Sequence, residues 1–170
     1  VLTNTVLTNT DLTKADLSNT VLTNTVLTNT VLTKAKTGTI QGVPKALPNG
    51  WEQRNKSLIA PGADLTDAVL KNENLNGLDL TDTNLTHTDL SNAVLNNAVL
   101  TNAKTGTIIG RPKYLPNGWV QRNKSLIGAG ADLTDAVLKN QNLNNLDLTD
   151  ANLTNTDLTK ADLSNTVLTN

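Results

Sequence analysis

The residues that could do chemistry in this chain are one histidine, His87, and two sets of aspartates that recur at multiples of five residues within each set. Carboxylates repeated in this way could act as paired acids and bases or could bind calcium. The aspartates concerned are Asp64, Asp79, Asp89, Asp132, Asp147 and Asp157. The Asn and Thr residues around them form no recognisable calcium-binding loop. We therefore predict that these carboxylates accept hydrogen bonds from nearby turns.

Neither catalysis nor cofactor binding is predicted. A metal or catalytic role for His87 needs partner residues, and the chain has no other His and no Cys. Asn155 stands at the equivalent position in a later copy of the same segment, which indicates a solvated surface residue. The many Ser and Thr residues lack a nucleophile elbow, and there is no glycine-rich phosphate loop. The sequence thus predicts no enzyme, no metal site and no cofactor.

Two tryptophans, each followed three residues later by an arginine, stand out from an otherwise uniform sequence. Trp51 precedes Arg54, and Trp119 precedes Arg122. One interpretation is a recognition or lateral-contact patch held by cation–π pairing. The other is that each Trp folds back over the coil where the repeat is interrupted. The Trp is retained in both copies while its surroundings vary, which favours packing, and we expect these four residues to anchor two ordered inserts.

The elements that position these residues are set by leucine, which occurs at every fifth position in three blocks, 2–32, 65–100 and 133–168. In a helix, five residues turn the chain through about 500°, so successive leucines would form no stripe. A strand with a side-chain period of two is excluded as well. We predict an all-β coil that turns every five residues and buries all 23 of these leucines.

A uniform core is consistent with the composition, because Phe, Met and Cys are absent and nothing large can fill irregular gaps. The core positions singled out in the two later blocks are Leu65, Leu70, Leu75, Leu80, Leu85, Leu90, Leu133, Leu138, Leu143, Leu148, Leu153 and Leu158.

Each unit reads small residue, then Val, Asp or Asn, then Leu, then Thr or Ser, then Asn, Asp or Lys. Asn and Asp near each corner suit tight turns, because they tolerate left-handed backbone. The unit resembles the pentapeptide-repeat family, with the consensus Ala-(Asp/Asn)-Leu-X-X, and Ala63-Asp64-Leu65-Thr66-Asp67 matches it directly. The resemblance implies a right-handed quadrilateral β-solenoid with four units per coil and Leu stacked on Leu. Inserts rich in Pro and Gly-Trp are similar to those of cyanobacterial members.

Four residues depart from the pattern in the small inward column. Leu78 and Leu146 are too large for it, and Glu73 and Gln141 are polar. A carboxylate in a narrow apolar core is costly unless it is paired or swings outward. We expect a local distortion of that corner.

The chain is expected to form one continuous solenoid in three parts. Residues 1–35 are repeat coils, and residues 36–103 and 104–170 each contain an insert followed by repeat coils. The two later parts align as copies of one another, beginning with Lys36 on Lys104, with 15 differences in 67 aligned positions.

Each insert must break the five-residue register and restore it, because the separation of Leu32 and Leu65 is not a multiple of five. The middle of the first insert, residues 44–51, is rich in turn formers and is expected to leave the coil. Thr39-Ile40 is the expected exit, and Leu58-Ile59 the expected return.

The leading functional hypothesis is a structural rod. Residues 157–170 repeat residues 11–24 letter for letter, and neither end carries an atypical capping repeat. The chain is therefore expected to continue, or to stack end to end on another copy of itself, as a self-assembling filament. An extracellular or cell-surface filament is the favoured setting, although the sequence itself does not locate the protein.

The net charge of −1, from 14 basic and 15 acidic residues, predicts no nucleic-acid partner. No apolar run is long enough to cross a bilayer, so no membrane span is predicted.

Two alternatives belong to other classes. The family resemblance makes available a protein-binding module, such as a DNA mimic that inhibits a topoisomerase. Lysines such as Lys14, Lys34 and Lys71 dilute the acidic columns that this mimicry requires. A lesser alternative is ice binding by flat Val and Thr ladders, such as Val21-Leu22-Thr23, although Asp and Lys interrupt them.

Overall fold

The computed structural model describes residues 1–169. Within these residues there is no helix, and the only strands longer than one residue are β1 (Glu52–Arg54), β2 (Ser57–Ile59), β3 (Val120–Arg122) and β4 (Ser125–Ile127). The remainder is a succession of short turns joined by single-residue bridges. The expected all-β architecture is therefore observed.

Every five-residue unit closes with the same turn. The N–H three residues after a register Leu donates to that leucine's carbonyl, as from Ala68 to Leu65 at 2.9 Å. The residue two after Leu has a positive φ, for example 63° at Asn72 and 62° at Asp135. Asn, Asp and Gly reach this left-handed region at low cost, which explains their abundance there.

Parallel backbone pairing stacks one coil on the next, with partners separated by the length of four units. Val69 bridges Asp89, and Asn74 bridges Val94. The bonds alternate in direction, since the Leu70 N–H donates to the Asp89 carbonyl at 2.9 Å and the Asp89 N–H donates to the Ala68 carbonyl at 2.9 Å. Backbone pairing thus runs along the stack.

The bridges form four ladders along the stack. The first contains Asp16, Lys36, Asp64, Asn84, Lys104, Asp132 and Asn152. The second contains Val21 and Gln41, then Val69, Asp89 and Ile109, then Val137 and Asp157. The third contains Val6, Val26 and Ala46, then Asn74, Val94 and Tyr114, then Asn142 and Asp162. The fourth contains Asp11 and Val31, then Asp79 and Val99, then Asp147 and Val167.

The interior consists of stacked leucines and small residues. The later-block leucines with 0–1% exposure are Leu65, Leu70, Leu75, Leu80, Leu85, Leu90, Leu95, Leu133, Leu138, Leu143 and Leu148. Leu153 and Leu158 are half-buried. The expectation that all 23 are buried is wrong at the two ends of the stack, where Leu2 and Leu7 are half-buried and Leu168 is 50% exposed. Each Leu depends on the coils above and below it for cover.

Threonine takes the small inward position without leaving a polar atom unpaired. The buried Thr88 hydroxyl donates to the Leu65 carbonyl of the coil below at 2.8 Å, and Thr25 does the same toward Leu2 at 2.6 Å. A buried hydroxyl costs little once it is hydrogen-bonded.

Glu73 and Gln141, the polar residues of this column, are half-buried. Leu78 and Leu146 are half-buried too and pack against the core.

Each insert lengthens one coil by eight residues. Lys36 bridges Asp64 across the first insert and Lys104 bridges Asp132 across the second, whereas Asp64 bridges Asn84 in a regular coil. The prediction that residues 44–51 leave the coil is wrong at Ala46, which bridges Val26.

Proline has no backbone N–H to donate. Pro44 is tolerated in this stretch because the hydrogen bond to the coil below is donated by the Lys45 N–H, to the Thr25 carbonyl at 2.8 Å. The extra residues lie mainly in the hairpins that follow.

Candidate functional site

The inserts are the only part of the described chain with strands that pair antiparallel. In the first insert β1 pairs with β2, with Gln53 opposite Leu58, and in the second β3 pairs with β4, with Gln121 opposite Leu126. Asn55 and Asn123 begin the two-residue loops with φ of 50° and 51°. Asn is a favoured residue for such tight hairpin loops.

The hairpins lie where three of the four ladders are interrupted. Within residues 1–169, only the first ladder has backbone bridges across the inserts. In an uninterrupted coil, a carbonyl such as that of Asp89 accepts a backbone N–H from the coil below. The carbonyls of Val69 and Asn74 lie just above the first insert and have no such backbone donor.

Side chains of the hairpins replace these missing donors. Asn55 Nδ2 donates to the Val69 carbonyl at 2.8 Å, and Arg54 Nε donates to the Asn74 carbonyl at 3.4 Å. The second insert repeats both bonds at 2.9 Å, from Asn123 Nδ2 to Val137 and from Arg122 Nε to Asn142. The hairpin loop therefore supports the underside of the next coil.

The arginines make contacts other than the cation–π pairing with tryptophan that the less favoured interpretation required. Arg54 also forms an ion pair with Glu52, and Arg122 Nη1 donates to the Gln121 carbonyl at 3.1 Å. Within residues 1–169, the only cation–π contact places Lys113 Nζ 5.3 Å from the ring centre of Tyr114.

The tryptophans lie at the junctions between successive parts of the core. Trp51 is half-buried and packs against both the core below the first insert and the core above it. Trp119 has the same relation to the cores on either side of the second insert. A Cβ added at Gly128 would lie 2.5 Å from the Trp119 ring, which shows how closely the ring covers this backbone.

The two inserts differ at their surfaces. Arg111 and Tyr114 replace Val43 and Ala46, and Val120 replaces Glu52. In the second insert these residues help to line an open cleft of about 400 Å³, together with Lys113, Trp119 and Arg122. Tyr114 is 53% exposed beside this cleft.

The aspartates of the ladders stabilise turns, as predicted. Asp89 accepts hydrogen bonds from the Ser91 hydroxyl and the Ser91 N–H, and these two bonds, in that order of effect, lower the pKa of Asp89. Asp162 is held in the same way by Ser164, which lowers its pKa.

His87 is exposed, and its Nδ1 lies 3.7 Å from Asp67 Oδ1. The described residues contain no group of His, Cys, Asp and Glu side chains suited to a metal ion. They also contain no helix long and apolar enough to cross a membrane.

Sequence reasoning missed the side-chain donors to the interrupted ladders. The strings Arg54-Asn55 and Arg122-Asn123 are retained in both copies, but nothing in them indicates which carbonyls they reach.

Comparison with known proteins identifies the repeat. A family described as pentapeptide repeats matches residues 1–36, 63–102 and 131–170 in eight copies. No curated protein matches the chain.

Several solved structures are similar. HetL, a pentapeptide repeat protein involved in heterocyst differentiation regulation from the cyanobacterium Nostoc sp. strain PCC 7120, is 25% identical, with 98% of this chain and 86% of that chain covered and a TM-score of 0.27. Rfr23, from the cyanobacterium Cyanothece 51142, is 18% identical, with coverage of 96% and 90% and a TM-score of 0.30. QnrB1, a plasmid-mediated fluoroquinolone resistance protein, is 15% identical, with coverage of 95% and 71% and a TM-score of 0.34.

Proposed function

Because this chain belongs to the pentapeptide-repeat family, whose fold is a right-handed β-solenoid, we propose that it is a non-catalytic structural rod. No enzyme family is indicated by any match. The observation that carries the proposal is the backbone pairing between residues four units apart, which is directed along the stack in the regular coils of residues 1–169. In such an architecture each coil contacts only its neighbours along the stack, so added coils increase the length of the rod and create no enclosed site.

We further infer a quadrilateral coil with four units per turn. Each five-residue unit ends in one turn with a left-handed residue, and bridged partners such as Val69 and Asp89 lie four units apart, so each coil contains four equivalent corners. The two inserts are ordered parts of this rod, anchored by Trp51 and Trp119 in the core and by Arg54 and Arg122 on the next coil. The hydrogen bonds of the hairpin loops support this assignment.

The rod is proposed to lengthen by end-to-end stacking, with a coil of the same chain or of a second copy. Leu168 is 50% exposed, whereas Leu148, one coil below it, is 1% exposed. A further coil would cover Leu168 and form hydrogen bonds with the backbone groups of the ladders in that coil. Pairing of this kind removes a sheet edge. A contact of this kind joins the top of one rod to the bottom of another and does not close.

The test compares Leu168→Lys with Val137→Lys. Leu168 lies in the last described coil of the stack, and Val137, which is 52% exposed, lies on its side. Sedimentation velocity and electron microscopy in about 0.5 M NaCl, where surface charges are screened, report rod length. The wild type and Val137→Lys are expected to lengthen with concentration, and Leu168→Lys to remain a single rod.

A wild-type chain that stays a monomer at every concentration would contradict end-to-end stacking on a second copy. Equal lengthening of Leu168→Lys and the wild type would contradict the assignment of this end to the contact.

A further inference from the structure

Charge is segregated around the rod, although the whole chain has a net charge of only −1. The first and fourth ladders, together with the turns that follow them, form what we call the negative side. It contains ten aspartates and four lysines, an excess of six negative charges. The aspartates are Asp11, Asp16, Asp64, Asp67, Asp79, Asp82, Asp132, Asp135, Asp147 and Asp150.

The positive side consists of the second and third ladders, the turns that follow them, and the hairpins. It contains ten cations and five acids, an excess of five positive charges. The cations are Lys45, Arg54, Lys56, Lys71, Arg111, Lys113, Arg122, Lys124, Lys139 and Lys160. The hairpins belong to this side because their loop side chains contact residues of the second and third ladders, Val69 and Asn74.

The positive charge is greatest at the second insert. The first insert has an internal ion pair between Arg54 and Glu52. Val120 replaces that glutamate in the second insert, and within the described residues no ion pair involves the four cations there. These cations are Arg111, Lys113, Arg122 and Lys124. Three of them, Arg111, Lys113 and Arg122, line an open cleft beside an exposed Tyr114. Arg and Tyr are enriched in protein interfaces.

On both sides, the charged residues recur from one copy of the long repeat to the next. Cations recur at equivalent positions of the two copies, as at Lys45 and Lys113, and aspartates do the same, as at Asp64 and Asp132. Equivalent residues occupy equivalent places in successive inserts and coils, so the axial separation of two positive patches matches that of two negative patches. Two rods lying side by side can therefore form both contacts together, and linked contacts strengthen each other.

We propose that the positive side, centred on the second insert, docks on the negative side of a second copy of this chain. The contact is lateral and does not depend on end-to-end stacking. It is heterologous, because each rod offers its positive side to one neighbour and its negative side to another, so rods associate into open rows. Complementary potentials of this kind favour association and are weakened by salt.

The test uses the Leu168→Lys background, in which end-to-end stacking is blocked, and measures association by sedimentation velocity in about 20 mM and about 0.5 M NaCl. The positive-side variant R111V/Y114A/V120E gives these three positions of the second insert the residues that the first insert has there, so the fold already accommodates them. The negative-side variant D132K/D150K places Lys where the fold already has lysines. Asp132 lies in the same ladder as Lys104, and Asp150 lies in the same turn column as Lys34. Each variant is expected to weaken low-salt association at least about tenfold, and high salt to abolish it.

A mixture of the two variants distinguishes this contact from any symmetric one. Each variant retains one intact side, so the mixture is expected to form heterodimers with the parent affinity, while each variant alone associates at least about tenfold more weakly. A mixture that stays monomeric would overturn the proposal, as would parent association that salt does not change. If the parent remains monomeric at low salt yet binds polyglutamate through Arg111 and Tyr114, the partner is another acidic chain and the proposal is wrong.

Discussion

At the residue scale, one turn geometry explains most of the polar composition. The residue before Leu accepts a hydrogen bond from the N–H two positions later, through Asp in some units and through Asn in others. The residue two after Leu adopts a left-handed conformation in the regular units of residues 1–169. These two roles account for the abundance of Asn and Asp, because both residues bond to local backbone and accept positive φ.

The stability of the protein should fall at acid pH because of these aspartates. The hydroxyls of Ser91 and Ser164, and to a smaller extent their backbone N–H groups, donate hydrogen bonds that lower the folded-state pKa of Asp89 and Asp162. A folded pKa below the unfolded value of about 3.9 means that the stabilisation is present above that pH and is lost as pH falls through the folded value. The midpoint of urea unfolding should therefore decrease below about pH 4.

The variant D89N/D162N should show less of this acid sensitivity. Asn84 accepts the N–H and the hydroxyl of Thr86 at the equivalent position, so an amide can form both bonds without titrating. An acid dependence equal to that of the wild type would show that other groups control it.

Lysine at the left-handed position should reduce stability. Lys34 and Asn102 occupy the same turn column with φ of 57° and 56°. Because positive φ is unfavourable for a long side chain and easier for Asn, Lys34→Asn should stabilise the protein by about 0.5–1 kcal/mol. Asn102→Lys, the matched reverse change, should destabilise it by a similar amount in urea unfolding. Changes of the same sign in both variants would contradict this explanation.

At the element scale, each coil depends on the stacking of its leucines. Leu85 is fully buried and has coils on both sides, so Leu85→Ala should lower the free energy of unfolding by about 2–5 kcal/mol. Leu168→Ala is the control, because that side chain is already half exposed and should cost much less. Chemical denaturation of both variants measures the difference, and equal losses would argue against the stacked core.

The hairpins create a second feature at this scale, a break in the backbone ladders. The N–H groups of Asp89 and Val94 donate to the Ala68 and Glu73 carbonyls at 2.9 and 3.0 Å, but those of Val69 and Asn74, one coil below, have no backbone acceptor across the insert. Amide hydrogen exchange should therefore be faster at Val69 and Asn74, since exchange follows local opening and hydrogen bonding.

The second copy provides an internal repeat of this measurement. Val137 and Asn142 should exchange faster than Asp157 and Asp162, whose N–H groups donate to Ala136 and Gln141 at 2.9 Å. Uniform protection across these positions would show that the inserts do not interrupt the ladders.

At the scale of the whole molecule, the core is divided into three parts joined at the tryptophans. Repeat proteins unfold as one unit only while the interfaces between neighbouring parts are strong. Trp119→Ala should therefore separate thermal unfolding into two transitions, because it removes the side chain shared by the second and third parts of the core.

Tyr114→Ala is the matched control, since this aromatic residue of the same insert is exposed and should leave a single transition. Calorimetry distinguishes the two outcomes. A single transition in both variants would show that Trp119 is not needed to couple the parts.

Much of this arrangement was determined by the sequence. The five-residue period of leucine excluded a helix and predicted a coil with an inward Leu, and the Asn and Asp residues predicted left-handed turns. These inferences hold because the repeat is local, so that each unit of five residues specifies its own turn and its own inward side chain.

Only the tertiary structure decided how the units meet. The pairing of Ala46 with Val26, the reach of Arg54 to the Asn74 carbonyl and the exposure of Leu168 depend on which coil lies above or below. Charge segregation has the same origin. Aspartates and lysines are mixed along the chain. Pairing between units four apart in the regular coils separates them onto opposite sides, because it determines which distant units share a ladder.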